Sequence, residues 1–292
     1  MSVKNIELVL SPPEPHYVGD GFRVHNFIPG GYRADMERMN PFIMLDYGSR
    51  FNFPPSDHQR GVGVHPHRGF ETVTIAYKGR VAHHDSTGQS GIIGEGDVQW
   101  MTAASGILHK EYHEKEFSIQ GGEFQMVQLW VNLPAKYKMS APKYQSLTND
   151  KITKFELESG DGTVEIIAGE YMGLKGSAST FSPVNLLNVK LNKNAKAEFS
   201  FPANYNTALL VIEGKIIVNG EEEVNTDHFA LFQNEGEQFD VQTVDGAIVL
   251  VMSALNLNEP IAAHGPFVMN TRQEIMQAFE DYHNGRFGFL TD

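Results

Sequence analysis

Residues 65–79 read His65-Pro66-His67-Arg68-Gly69-Phe70-Glu71-Thr72-Val73-Thr74-Ile75-Ala76-Tyr77-Lys78-Gly79, and two patterns overlap there. Residues 72–77 are rich in β-branched and aromatic side chains and stop at Lys78-Gly79, which predicts a short strand closed by a turn. Upstream, His65 and His67 are two positions apart. On an extended chain they project from one face with Cα atoms about 6.5–7 Å apart. The strand signal recurs along the chain. Residues 125–131 alternate polar and apolar, and residues 209–218 run into Asn219-Gly220, a pair that accepts the positive φ angles of a tight hairpin. Short strands spaced by about 8–12 residues predict an all-β sandwich or barrel.

Two segments echo one another. Ile75-Ala76-Tyr77-Lys78-Gly79-Arg80-Val81 is matched by Val211-Ile212-Glu213-Gly214-Lys215-Ile216, and Gly94-Glu95-Gly96-Asp97 more loosely by Asn225-Thr226-Asp227-His228-Phe229. Two copies of one barrel account for this with the fewest assumptions. The division expected is one barrel over residues 1–140 and a second over 141–292. Residues 134–154, with Pro134, Pro142 and several lysines, read as the connector. A helix closes the second half. Thr271 and Glu274 have capping-box spacing, Ile275, Phe279 and Tyr282 recur at helical intervals, and Gly285 suits the C-terminal left-handed position. Its role is expected to be a structural clamp.

The 292 residues are 41% hydrophobic, enough for a substantial core. With 36 acidic against 23 basic residues the net charge is −13, which argues against a nucleic-acid groove. No cysteine is present, so thiolate nucleophiles, disulfides, iron–sulfur clusters and Cys-type zinc sites are excluded. The first residues carry one Lys, a brief apolar stretch and three prolines, unlike a signal peptide, and no apolar run is long enough to span a membrane. The expectation is a cytoplasmic protein with no membrane partner.

Seven of the 12 histidines (His58, His65, His67, His83, His84, His109 and His113) fall between positions 58 and 113. His109 and Glu111 repeat the two-residue spacing of His65 and His67. Two such pairs on facing strands inside a barrel can converge on one ion, and three neutral imidazoles with one carboxylate suit a divalent first-row metal. Glu71 is a rival fourth ligand if the chain turns at Gly69; Glu111 is preferred because it needs no bend. His83 and His84 are adjacent and face opposite ways on a strand, so both are assigned to a solvated turn. His113 is assigned to the rim or surface.

At these residues the sequence resembles the pirin family of the cupin superfamily. His65 to Val73 looks like the family's first metal motif. Gly96-Asp97-Val98-Gln99-Trp100-Met101-Thr102-Ala103, leading through Gly106-Ile107-Leu108-His109-Lys110-Glu111, looks like the second. Asn40-Pro41-Phe42-Ile43-Met44-Leu45-Asp46, Gln128-Leu129-Trp130-Val131-Asn132-Leu133-Pro134 and His264-Gly265-Pro266-Phe267-Val268-Met269-Asn270-Thr271 are similar to further family segments. The resemblance implies a bicupin, two face-to-face β-barrels of jelly-roll type with a C-terminal helix. It implies one metal, in the first barrel only, held by His65, His67, His109 and Glu111. Iron(II) is the first expectation, with nickel, copper, zinc, manganese and cobalt left open.

Bacterial members of this kind are associated with quercetin 2,3-dioxygenase activity. The implied reaction opens the heterocycle of a flavonol with dioxygen and releases carbon monoxide, with Glu111 as general base. The partners are then a flavonol or other phenolic small molecule and O2. The competing reading is a metal-dependent regulatory protein that binds a protein partner without turnover and makes no direct nucleic-acid contact. A cupin isomerase or hydrolase using the same ligands is the third.

Overall fold

Phe70–Lys78 forms a strand whose first eight residues are all buried, which is why its sequence runs apolar without clean alternation. It lies third in an antiparallel seven-stranded sheet ordered Lys143–Leu147, Val98–Thr102, Phe70–Lys78, Gly122–Asn132, Phe42–Phe53, Phe22–Ile28 and His16–Val18. A four-stranded sheet, ordered Gly61–His67, Ile107–His113, Val81–Asp85 and Ser90–Ile93, supplies the opposing layer. Phe22, Val24, Ala76, Val81, Ile93 and Phe124 fill the apolar end between the layers. The computed structural model describes residues 2–291, and these strands belong to one of its two compact units.

The other unit repeats the plan. Its seven-stranded sheet runs Ile6–Leu10, Phe229–Phe232, Tyr205–Gly214, Ala247–Leu255, Val184–Leu191, Gly162–Ala168 and Thr153–Glu156. Its four-stranded sheet runs Lys196–Ser200, Gln238–Gln242, Ile216–Val218 and Glu222–Val224. Both sequence echoes fall at equivalent places in the two units. The first spans the turn from the third strand of the large sheet to the small sheet, and the second spans the return from the small sheet's edge strand. The fold is therefore the expected all-β double barrel.

The units do not divide the chain at residue 140. One takes residues 14–29, 41–149 and 257 onward, and the other takes residues up to 13, 30–40 and 150–256. The reasons are local. Ile6–Leu10 pairs antiparallel with Phe229–Phe232 and so joins the second barrel's sheet. Lys143–Leu147, inside the expected connector, pairs with Val98–Thr102 and extends the first barrel's sheet.

The C-terminal helix, Arg272–His283, starts at Thr271 with the expected capping box to Glu274. Ile275 and Ala278 pack with Leu108, Phe267, Met269 and Phe287, all of the first barrel's unit. The helix thus clamps the histidine-bearing unit rather than ending the other. Its buried stripe is Ile275, Ala278 and Asp281, while Tyr282 is exposed. Asp281 is tolerated inside because Arg68, itself buried, donates to its carboxylate at 2.9 Å.

One glycine fixes the chain beside the histidines. Gly69 adopts φ +93° between His67 and Phe70, and a Cβ there would sit 1.9 Å from the Val268 carbonyl oxygen. The buried Lys138 ammonium locks the same corner, donating to the carbonyls of Gly69 at 2.7 Å and Val268 at 2.9 Å and to Asn132 Oδ1 at 2.5 Å. Burial lowers the Lys138 pKa to about 7.

Candidate metal centre

The small sheet of the first barrel brings the two spaced pairs together. Gly61–His67 and Ile107–His113 are antiparallel neighbours with His109 directly opposite His65 and Ile107 opposite His67. Past His109 the register shifts, so Glu111 pairs with Val62. Because positions two apart share a face, His65, His67, His109 and Glu111 all point into the barrel. Ring centroids are 4.2 Å apart for His65–His109, 4.7 Å for His67–His109 and 4.8 Å for His65–His67.

The donors are electronically ready for a cation. Nδ1 of His67 and both ring nitrogens of His109 are buried without a hydrogen-bond partner, a costly arrangement unless an ion satisfies them. His65 Nδ1 lies 2.8 Å from the Gly63 carbonyl oxygen, which fixes the proton on Nδ1 and frees Nε2 to ligate. Burial, reinforced by neighbouring imidazoles, holds His67 and His109 well below the usual histidine pKa, so both rings are neutral. The residues present therefore fit a divalent cation.

Glu111 is held by the opposite sheet. Its Oε2 accepts from Gln128 Nε2 at 2.7 Å, and its Oε1 accepts from Thr74 Oγ1 and Gln99 Nε2, each at 3.4 Å. These donors form one row across the sheet. Asn26 pairs with Asp46, Asp46 with Gln128, Gln128 with Thr74, and Thr74 with Gln99, one residue per strand. A small cavity opens beside the row. Its polar wall is His65, Glu111, Gln128 and Asp46, and its apolar wall includes Phe22, Val24, Val62 and Met126. Burial raises the Asp46 pKa, opposed by a hydrogen bond from Asn26.

Two family profiles match the chain, Pirin over residues 21–131 and the Pirin C-terminal cupin domain over residues 186–288. The chain belongs to the pirin family. A Pseudomonas aeruginosa protein provisionally named a quercetin 2,3-dioxygenase is 46% identical over 272 residues, covering 93% of this chain and 94% of its own. Human pirin is 36% identical over 281 residues, covering 93% and 90%. The crystal structure of quercetin 2,3-dioxygenase from Acinetobacter baumannii superposes with a TM-score of 0.92 at 44% identity, covering 98% of this chain and 99% of that one.

This pirin departs from the sequence expectation at two histidines. His83 is not on a solvated turn. It is fully buried on Val81–Asp85, directly opposite Glu111, with Nδ1 unpartnered and Nε2 3.3 Å from Asp85 Oδ2. Its ring stacks on Tyr144 at 5.3 Å. Among the described residues the ligand-type side chains form two groups, His65–His67–His109 and His83–His109–Glu111, which share His109; within each group the ligand atoms lie within 4.8 Å. The signal was available, since His83-x-Asp85 has the same spacing as the other two pairs. Of the adjacent histidines only His84 faces out, stacked on Tyr112.

His113 is likewise buried rather than at the rim. Its Nε2 lies 2.7 Å from the Gly21 carbonyl oxygen, within a cage of Phe53, Phe117 and Phe124, and burial lowers its pKa to about 4. Glu71, the rival ligand, lies outside both groups. It accepts from Thr102 Oγ1 at 2.7 Å, and burial pushes its pKa to about 7.

Proposed function

We propose that this pirin is a metal-dependent dioxygenase that opens the heterocyclic ring of a flavonol such as quercetin with dioxygen and releases carbon monoxide. The observation that carries the reading is the grouping of the buried, unpartnered imidazoles of His67 and His109 with His65 and Glu111, the last two of which line one cavity, in a chain similar over nearly its whole length to a quercetin 2,3-dioxygenase. The ligand set we assign is His65, His67, His109 and Glu111, and iron(II) is the metal we assign to it. When bound, such an ion supplies Lewis acidity toward an anionic substrate oxygen.

The chain's own residues supply the rest. The neutral imidazoles fix the donor geometry without adding positive charge. Glu111 acts as the general base that takes the flavonol hydroxyl proton. Its Oε2 is engaged by Gln128 at 2.7 Å, whereas Oε1 has only two long contacts, so Oε1 is the oxygen left to accept the proton. The apolar wall of Phe22, Val24, Val62 and Met126 offers an aromatic edge apolar contact and sheds water beside Glu111.

The test is oxygen uptake with quercetin on protein of measured metal content, run beside His65→Ala. Uptake that scales with metal and disappears in His65→Ala, with carbon monoxide as product, is expected. A fully loaded protein that consumes no oxygen would overturn the dioxygenase reading and favour a metal-dependent partner-binding role.

A further inference from the structure

The polar row of the large sheet does not end at the residues that hold Glu111. Thr74, Gln99 and Gln128 are spent on that carboxylate, yet one strand further along the row stands Asp46, opposite Gln128 and on the wall of the same cavity. Adjacent strands are about 4.8 Å apart, so Asp46 lies several ångströms from Glu111 along the cavity. Asn26 Nδ2 donates to Asp46 Oδ1 at 2.7 Å and to the Ile28 carbonyl at 2.9 Å. Among the described residues no side chain hydrogen-bonds Oδ2 and no Lys or Arg forms an ion pair with the carboxylate; His16 interacts with it electrostatically but without a hydrogen bond. The neighbouring cavity residues Val18, Phe22, Val24 and Met126 are apolar. A half-buried carboxylate oxygen facing such a wall is costly unless a donor reaches it. A purely structural acceptor for Asn26 would be met equally by an asparagine.

We propose that Asp46 is a specificity-determining residue that accepts a hydrogen bond from a second hydroxyl of the substrate, selecting polyhydroxylated phenols over those with a single hydroxyl. This rests on the flavonol reading and deepens it. One hydroxyl engages the metal end of the cavity beside Glu111, and the second, several bonds away on the same rigid ring system, donates to Asp46 Oδ2. The carboxylate then gains the charge-assisted bond that its surroundings withhold.

The experiment measures equilibrium binding, by fluorescence quenching, of quercetin and of 3-hydroxyflavone, whose only hydroxyl is the one beside the carbonyl. Both probes are titrated into metal-loaded wild type and metal-loaded Asp46→Asn, with metal content and melting temperature measured alongside. Asp46→Asn retains the acceptor for Asn26 but presents an amide donor where Oδ2 stood. The expected result is a roughly tenfold weaker Kd for quercetin and a change of less than twofold for 3-hydroxyflavone. Equal losses for both probes, or none for quercetin, would overturn the assignment of Asp46. Tight, Asp46-dependent quercetin binding without oxygen uptake would overturn the dioxygenase reading alone, and failure of wild type to bind either probe would overturn both.

Discussion

Two glutamates, both nearly inaccessible, show how environment separates roles. Glu111 accepts from three side chains, while Glu71 accepts from Thr102 and sits in surroundings that raise its pKa to about 7. In the unfolded chain Glu71 ionises near the ordinary 4.5. Between that pH and about 7 the native state binds the extra proton, so its contribution to stability falls as pH rises. Glu71→Gln removes this penalty. Denaturant melts should show the variant gaining on wild type from pH 4.5 to 8, by up to about 3 kcal/mol, with the two curves drawing together at acid pH. Glu111→Gln should behave differently, lowering flavonol turnover by about a hundredfold or more while weakening metal binding less; equal turnover would remove Glu111 as base. From the sequence, the pairs at 65/67 and 109/111 could be read because strand parity is local. The same parity runs through His83-x-Asp85 and on from Glu111 to His113, but parity alone does not say which face of a strand is buried. The burial of His83 and His113 depends on which strands neighbour Ile107–His113, a register that nothing within either segment encodes.

At the scale of the elements, the histidine-bearing strands are held from behind by the C-terminal helix. Arg68, next to His67, donates from Nε to the Ser105 carbonyl at 2.7 Å, from Nη1 to Asp281 at 2.9 Å, and lies 4.6 Å from the centre of the Phe287 ring. Ser86 Oγ donates to the Phe287 carbonyl and accepts from the backbone N–H of Leu108, the neighbour of His109. The capping box made the helix legible in sequence, but its partner was not, because the Arg68–Asp281 pair spans 213 positions. Asp281→Asn leaves the Arg68 charge buried with half its partner gone, which should cost about 3 kcal/mol in a denaturant melt. It should also weaken metal binding by about tenfold, measured by chelator competition, because His67 loses the support beside it. Arg286→Ala, which removes only the exposed partner of Asp281, should leave metal affinity within twofold.

At the scale of the whole molecule, one architecture is used for two purposes. Where the first barrel's small sheet turns imidazoles inward, the second turns Ala197, Phe199, Phe239 and Val241 inward, with Phe199 and Phe239 stacked at 5.1 Å. The echoes at residues 75–81 and 211–216 made the duplication legible, since turn chemistry is preserved when interior residues diverge. The discontinuous boundaries were not, because pairing of Ile6–Leu10 with a strand more than 200 residues away leaves no local trace. The difference in interiors sets where metal binding acts. A ligand that binds only the native state stabilises what must open to release it, by about 2.7 kcal/mol at a hundred times its Kd. Hydrogen exchange followed with and without metal should therefore show slowed exchange in Gly61–His67, Ile107–His113 and Val81–Asp85. Lys196–Ser200 and Gln238–Gln242, whose interior is already closed by aromatic packing, should exchange at unchanged rates. His109→Ala should abolish the metal effect without altering those second-barrel rates. Equal protection of both small sheets would mean that the metal's stabilisation is not confined to the barrel that holds it.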